Sequence, residues 1–162
     1  MENLENYKCL SVGQPDADLL TKPHYQDSDG NFHAEREMIL RGRYSTFRGD
    51  VLICEKKQPG KPCGYAVGLA ELFDVKCVGD MTKEEREEFG IMEGKYPLYL
   101  FCYMFRNPRR IIEIPVIGSG NFFNIQVTPV TVYPRYLELG EKGWKGIKRK
   151  FFKKKLRKSL QI

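Results

Sequence analysis

The stretch REMILRGRYSTFRGDVLIC, residues 36–54, carries two strand-length apolar runs on either side of a polar turn. EMILRGR (37–43) and DVLICE (50–55) are rich in β-branched and long aliphatic residues, and Arg48-Gly49-Asp50 punctuates them. Runs of the same kind recur outward in both directions. YKCLSV (7–12) precedes the stretch, and GYAVGLAELFDV (64–75), PLYLFCYMF (97–105), RRIIEIPV (109–116) and FFNIQV (122–127) follow it. Asn107-Pro108 and Gly118-Ser119-Gly120 read as turns between successive strands.

Before residue 141 two segments read as short helices, and a basic helix is expected in the C-terminal tail. Gly13-Gln14-Pro15 ends the first strand, and Asp16 is placed to cap a short helix through Ala17, Leu19 and Leu20. Thr82-x-x-Glu85 is a capping box that opens a short charged helix stopping at Gly90. Residues 21–34 are polar and rich in turn formers, so a surface loop or small hairpin with Asp29-Gly30 at its tip is expected. Many short strands with two short helices predict a mixed α+β, mostly-β fold, a small barrel rather than a parallel βαβ sheet.

Length and charge organise the rest. At 162 residues the chain has room for one sizeable core. The net charge of +6 is unevenly spread. Residues 142–162 hold ten basic side chains and no acidic one, so the remainder, with 17 basic and 21 acidic groups, is net −4. The expected organisation is a domain over residues 1–140, with 21–34 as a surface insertion, followed by a basic amphipathic tail over 141–162.

Several function classes are disfavoured. No run of 18 apolar residues is present, and MENLENYK is not a charged-then-apolar leader, so a cytoplasmic location is expected. The five cysteines are odd in number and form no CxxC, which fits reduced thiols. With only His24 and His33 besides, no recognised zinc spacing occurs, and neither a metal nor a cofactor is expected.

The order of four segments resembles the ASCH domain, of the PUA-like superfamily. They are LSVGQPDADLL (10–20), REMILRGRYSTFRGDVLIC (36–54), GYAVGLAELFDV (64–75), and Ile114-Pro115-Val116 with Gly118 and FFNIQV. The resemblance implies a PUA-like barrel that binds RNA or nucleotides in a cleft beside the first helix, and it makes Ser11 and Gln14 pocket candidates. Some members hydrolyse modified cytidines with a Lys and a Thr from a Lys-x-x-Glu-x-Arg-type segment. The matching stretch here is Arg36-Glu37-Met38-Ile39-Leu40-Arg41, in which only Arg41 is kept. A guanidinium stays protonated and cannot replace a desolvated lysine as a base. An amidohydrolase or nuclease acting on a modified nucleoside or RNA is therefore the alternative, and binding is the first reading.

The residues themselves point the same way. Arg36, Arg41, Arg43 and Arg48 fall close together with Tyr44 and Phe47 among them. Arginine forks suit phosphate, and aromatic rings stack on unpaired bases. On an alternating strand Arg41 and Arg43 share a face with Glu37 and Ile39. The competing reading is a solvated face with ordinary ion pairs. Arg106, Arg109 and Arg110 around Asn107-Pro108 read as a basic turn. In the tail, Trp144, Ile147 and Phe151 fall at helical spacing, as do Phe152, Leu156 and Leu160, with Lys148, Arg149, Lys153 and Lys154 on the other face. RNA is the expected partner and DNA the second choice. Peripheral contact with an anionic membrane is a competing reading of the tail, and a protein-interaction module is a third reading of the whole.

Overall fold

A computed structural model of the chain describes residues 4–57, 59–60, 64–117 and 122–132. They form β1 (Glu5–Val12), α1 (Asp16–Thr21), β2 (Pro23–Gln26), β3 (Phe32–Ala34), β4 (Met38–Arg41), β5 (Gly49–Glu55), β6 (Gly64–Cys77), α2 (Lys83–Glu88), β7 (Phe101–Val116), β8 (Phe123–Val127) and β9 (Thr131–Val132). The fold is mostly β with two short helices. The turn expected at 118–120 and the tail, with its helix and the candidates Lys148, Arg149, Lys153 and Lys154, lie outside the described residues.

The main sheet has the order β4-β7-β6-β5-β1-β8, and β9 adds to β7 beyond β4. All pairings are antiparallel except β1 with β5, which run parallel with Cys9 opposite Leu52. β2 and β3 form a separate hairpin, as the turn chemistry of 21–34 predicts. The expectation of a barrel is not met, because the sheet is open. Among the described residues the edge strands β4 and β8 share no rung. β4 is four residues long and stands opposite the Phe101–Met104 end of β7, while β8 pairs only with residues 5–9 of β1. The chain leaves the sheet after Arg41, so β4 has no further length with which to meet β8.

Both faces of the sheet are apolar. In β5, Val51 and Ile53 join Leu10, Val12, Leu20, Leu72 and Phe105 in the core beneath α1. Leu52 and Cys54 face the other way, with Cys9, Leu69 and Ile111. Consecutive burial of Val-Leu-Ile-Cys is what a strand covered on both sides requires. A third cluster of Met38, Val78, Met81, Ile91, Cys102 and Met104 seats the segment around α2. The capping box forms as expected, with Thr82 accepting from the Glu85 amide and Glu85 accepting from the Thr82 amide.

Two local expectations are corrected. Residues 97–105 and 109–116 do not flank a turn, because β7 runs unbroken from Phe101 to Val116. Asn107 takes a left-handed conformation, φ 55°, at a bulge opposite β6, and buried Pro108 sits there without breaking the strand. A bulge is where a sheet tolerates a residue with no amide hydrogen. At α1, Asp16 is not the cap. Pro15 occupies that position, and Gln14 accepts from the Asp18 amide at 3.1 Å. The amide side chain thus supplies the acceptor that Asp16 was expected to supply.

α1 packs tightly on the sheet at Gly68. A Cβ there would lie 2.4 Å from the Arg109 carbonyl oxygen and 2.5 Å from the Thr21 Cβ. Arg110 reinforces the seat by donating to Asp18 Oδ1 at 2.8 Å and to the buried Thr21 hydroxyl at 3.1 Å. Among the described residues no helix is long and apolar enough to cross a membrane.

Candidate nucleic-acid interface

Arg41 ends β4, and by strand alternation it shares a face with Ile39, which lies in the core beneath α1. Its Nη2 donates to the Ser11 carbonyl of β1 at 2.8 Å. A guanidinium has five N–H donors. No polar side-chain atom among the described residues is buried without a partner, so the remaining Arg41 donors reach solvent-accessible space. Burial lowers the Arg41 pKa from its ordinary value, against the opposing fields of Tyr103 and Asp16. A partly desolvated cation interacts more strongly with an anion than one in bulk water.

An aromatic row extends from this cation. The Tyr103 hydroxyl donates to the Arg43 carbonyl. Burial raises its pKa, opposed by the charges of Arg41 and Arg48. The Tyr103 ring stacks on Phe122, with centroids 6.1 Å apart and planes 13° from parallel. Phe122 meets Phe47 at 6.4 Å, and the Lys8 ammonium lies 5.9 Å from the centre of the Phe47 ring. Three strands, the loop before β5 and the residue preceding β8 therefore bring together two cations, the half-buried rings of Phe47 and Phe122, and the buried ring of Tyr103.

The other candidates are placed as follows. Arg48 donates to the carbonyls of Ser45 and Phe47, and its guanidinium lies 5.9 Å from the Tyr44 ring centre and 3.9 Å from Asp74. Tyr44 packs edge-on against Phe101 and is otherwise exposed. Arg43 lies just past the end of β4 and is exposed, so strand alternation does not carry it onto the face of Arg41. Arg36 pairs with Asp16. Glu37 is hydrogen-bonded by His33 at 2.8 Å. Ser11 contributes its carbonyl to Arg41, and Gln14 binds Asp18 and Glu55 rather than lining an open pocket.

The arginines near Asn107-Pro108 are bound to acids. Arg106 pairs with Glu71, Arg109 grips both oxygens of Asp50 at 2.5 and 3.1 Å, and Arg110 holds Asp18. They read as structural ion pairs. By contrast, no acidic side chain among the described residues pairs with Arg41. Tyr103, Phe122 and Lys8 were not singled out in the sequence, where they look like ordinary strand residues. Only contacts distant in the sequence bring them near Arg41.

No protein-family model matches the chain, and no curated protein is significantly similar to it.

Proposed function

We propose that this domain binds nucleic acid, RNA in preference to DNA, on the surface formed by Arg41, Phe122, Phe47 and Lys8, which the buried ring of Tyr103 supports from beneath. The observation that carries the reading is the state of Arg41. It is half-buried, engaged by one carbonyl, and without a carboxylate partner among the described residues, while Arg36, Arg48, Arg106, Arg109 and Arg110 each face an acid. A phosphate oxygen is the natural complement for its open donors. The adjoining rings supply stacking surface, a recognition mode suited to unpaired bases. The ten basic residues of 142–162 supply a long-range attraction that the net −4 remainder lacks. The segment order resembling the ASCH domain supports the same choice of ligand.

The test is fluorescence anisotropy with a labelled single-stranded RNA across a salt series. Arg41→Gln should weaken binding by roughly tenfold or more, as expected for loss of hydrogen bonds from a charged group. Replacing Lys148, Arg149, Lys153 and Lys154 with Gln should weaken binding at low salt and flatten its salt dependence. Affinity for RNA unchanged by both variants would overturn the reading.

A further inference from the structure

The β2–β3 hairpin carries a charged device that the nucleic-acid reading does not use. His33 of β3 stands between two carboxylates, with Nε2 2.7 Å from Asp27 Oδ2 and Nδ1 2.8 Å from Glu37 Oε1. Carboxylates accept hydrogen bonds, so both contacts are satisfied together only when both ring nitrogens carry hydrogen. Neutral imidazole has one N–H and would turn a lone pair toward one of the acids. The Tyr25 ring lies parallel to the His33 ring, 4.7 Å away, and fixes its plane.

The two acids belong to different parts of the chain. Asp27 organises the hairpin tip by accepting the amides of Asp29 and Asn31, each at 2.9 Å. Glu37 leads into β4, and its carbonyl accepts the Phe105 amide of β7 at 2.8 Å. One side chain therefore ties the tip of an outlying hairpin to the main sheet. The geometry points to a proton-operated latch: charged His33 fastens the hairpin Pro23–Ala34 to Glu37, and loss of its proton releases that fastening.

The neighbouring charges leave the latch to these three groups. From α1, Asp16 is taken by Arg36 and Asp18 by Arg110 and Lys22. From β7, Arg106, Arg109 and Arg110 face Glu71, Asp50 and Asp18. His24 on β2 contacts the Tyr25 ring edge-on, at 6.4 Å. The hydrogen bond to Asp27 raises the His33 pKa above the ordinary 6.5, and Glu37 adds to this against burial. The same hydrogen bond lowers the Asp27 pKa below 3.8. The raised histidine stabilises the hairpin fully below its ordinary value and loses that contribution as pH climbs through the raised one. The lowered aspartate contributes above its ordinary value and loses that contribution as pH falls through the lowered one. The latch is closed between the two and opens on the alkaline side.

The experiment follows amide exchange in residues 23–34 of the full chain across pH, corrected for intrinsic rates, with the His33 ring titrated by NMR. Protection of the hairpin should fall by up to about tenfold per pH unit between the ordinary histidine value and the measured His33 pKa and level off above it, while β5 and β6 amides stay unchanged. His33→Gln should flatten the profile, and Glu37→Gln should move the ring pKa back toward its ordinary value. A ring that titrates at or below the ordinary value overturns the latch. So does hairpin protection indifferent to pH, or a His33→Gln protein that keeps the alkaline drop. If His33→Gln does not fold, Glu37→Gln decides through the ring titration alone.

Discussion

The phenol of Tyr103, on β7, donates its hydrogen to the carbonyl of Arg43, sixty residues earlier in the chain. This bond ties the arginine-bearing loop after β4 to the aromatic row. It also places the Tyr103 ring beside Arg41 and against Phe122, so one side chain links the positive and the aromatic halves of the proposed interface.

Tyr103→Phe keeps the ring and removes the bond. The expected loss of stability is about 0.5–1.5 kcal/mol, the net worth of a typical hydrogen bond. Amide exchange in residues 43–48 should rise more than in β5, and urea denaturation measures the global part. Equal protection of the loop in both proteins would show that Arg43 is held by other contacts.

Phe122→Leu preserves apolar bulk and removes the stacking face. RNA affinity should fall by about 1–3 kcal/mol per stacked base, with the salt slope unchanged because no phosphate contact is lost. Anisotropy at two salt concentrations separates this outcome from the charge variants, which change the slope.

Gly68→Ala tests the seat of α1. Alanine would gain about 0.4–1 kcal/mol by restricting the unfolded chain. Against this, its Cβ would sit 2.4 Å from a backbone oxygen and 2.5 Å from the Thr21 Cβ, neither of which can swing away. Overpacking of this kind costs about 1–3 kcal/mol or more, so net destabilisation is expected in urea. Gly42→Ala, with nothing within 4 Å of the added carbon, is the matched control and should not destabilise.

The thiols should divide by burial. Burial pushes the Cys102 thiol up to about 12, with Asp74 and Glu85 adding to the shift, and Cys9 and Cys54 are buried with it. Thiolate is the reactive species. At mildly alkaline pH a thiol-alkylating reagent should therefore label the partly exposed Cys77 and spare these three until denaturant is added, as read by mass spectrometry. Rapid labelling of Cys102 in the folded protein would contradict its place in the core.

Much of the fold was legible because its signals are local. Apolar runs located β1, β5, β6 and β8, and the Thr82–Glu85 box located α2. The unbroken course of β7 was not legible, because Pro108 ordinarily ends a strand and only the bulge at Asn107 accommodates it. Nor was the open sheet, which depends on how β4 and β8 are staggered across four intervening strands. At the candidate site, clustering in the sequence marked Arg41, but the same clustering also marked Arg36 and Arg43. What separates them is the company they keep: Asp16 for Arg36, solvent for Arg43, the Ser11 carbonyl and the Tyr103 ring for Arg41. The His33 contacts were missed because its two acids, six positions before and four after it, lie in the hairpin turn and in the link to β4, where neither helical nor strand periodicity applies.

The position of β1 has a consequence for synthesis. It lies between β5 and β8, with Lys8 opposite both Val51 and Asn124. A ribosome delivers β1 well before its parallel neighbour and long before β8, whose last rung pairs Val127 with Glu5. The sheet therefore cannot assemble by adding each new hairpin to the last. Cys9, Leu10 and Val12 must wait, unpaired and apolar, until β5 has emerged, and residues 5–9 keep one edge open until β8 follows in the final third of the domain. Such long-range closure is slow, and it makes the nascent β1 the segment of this chain most in need of shelter from wrong partners.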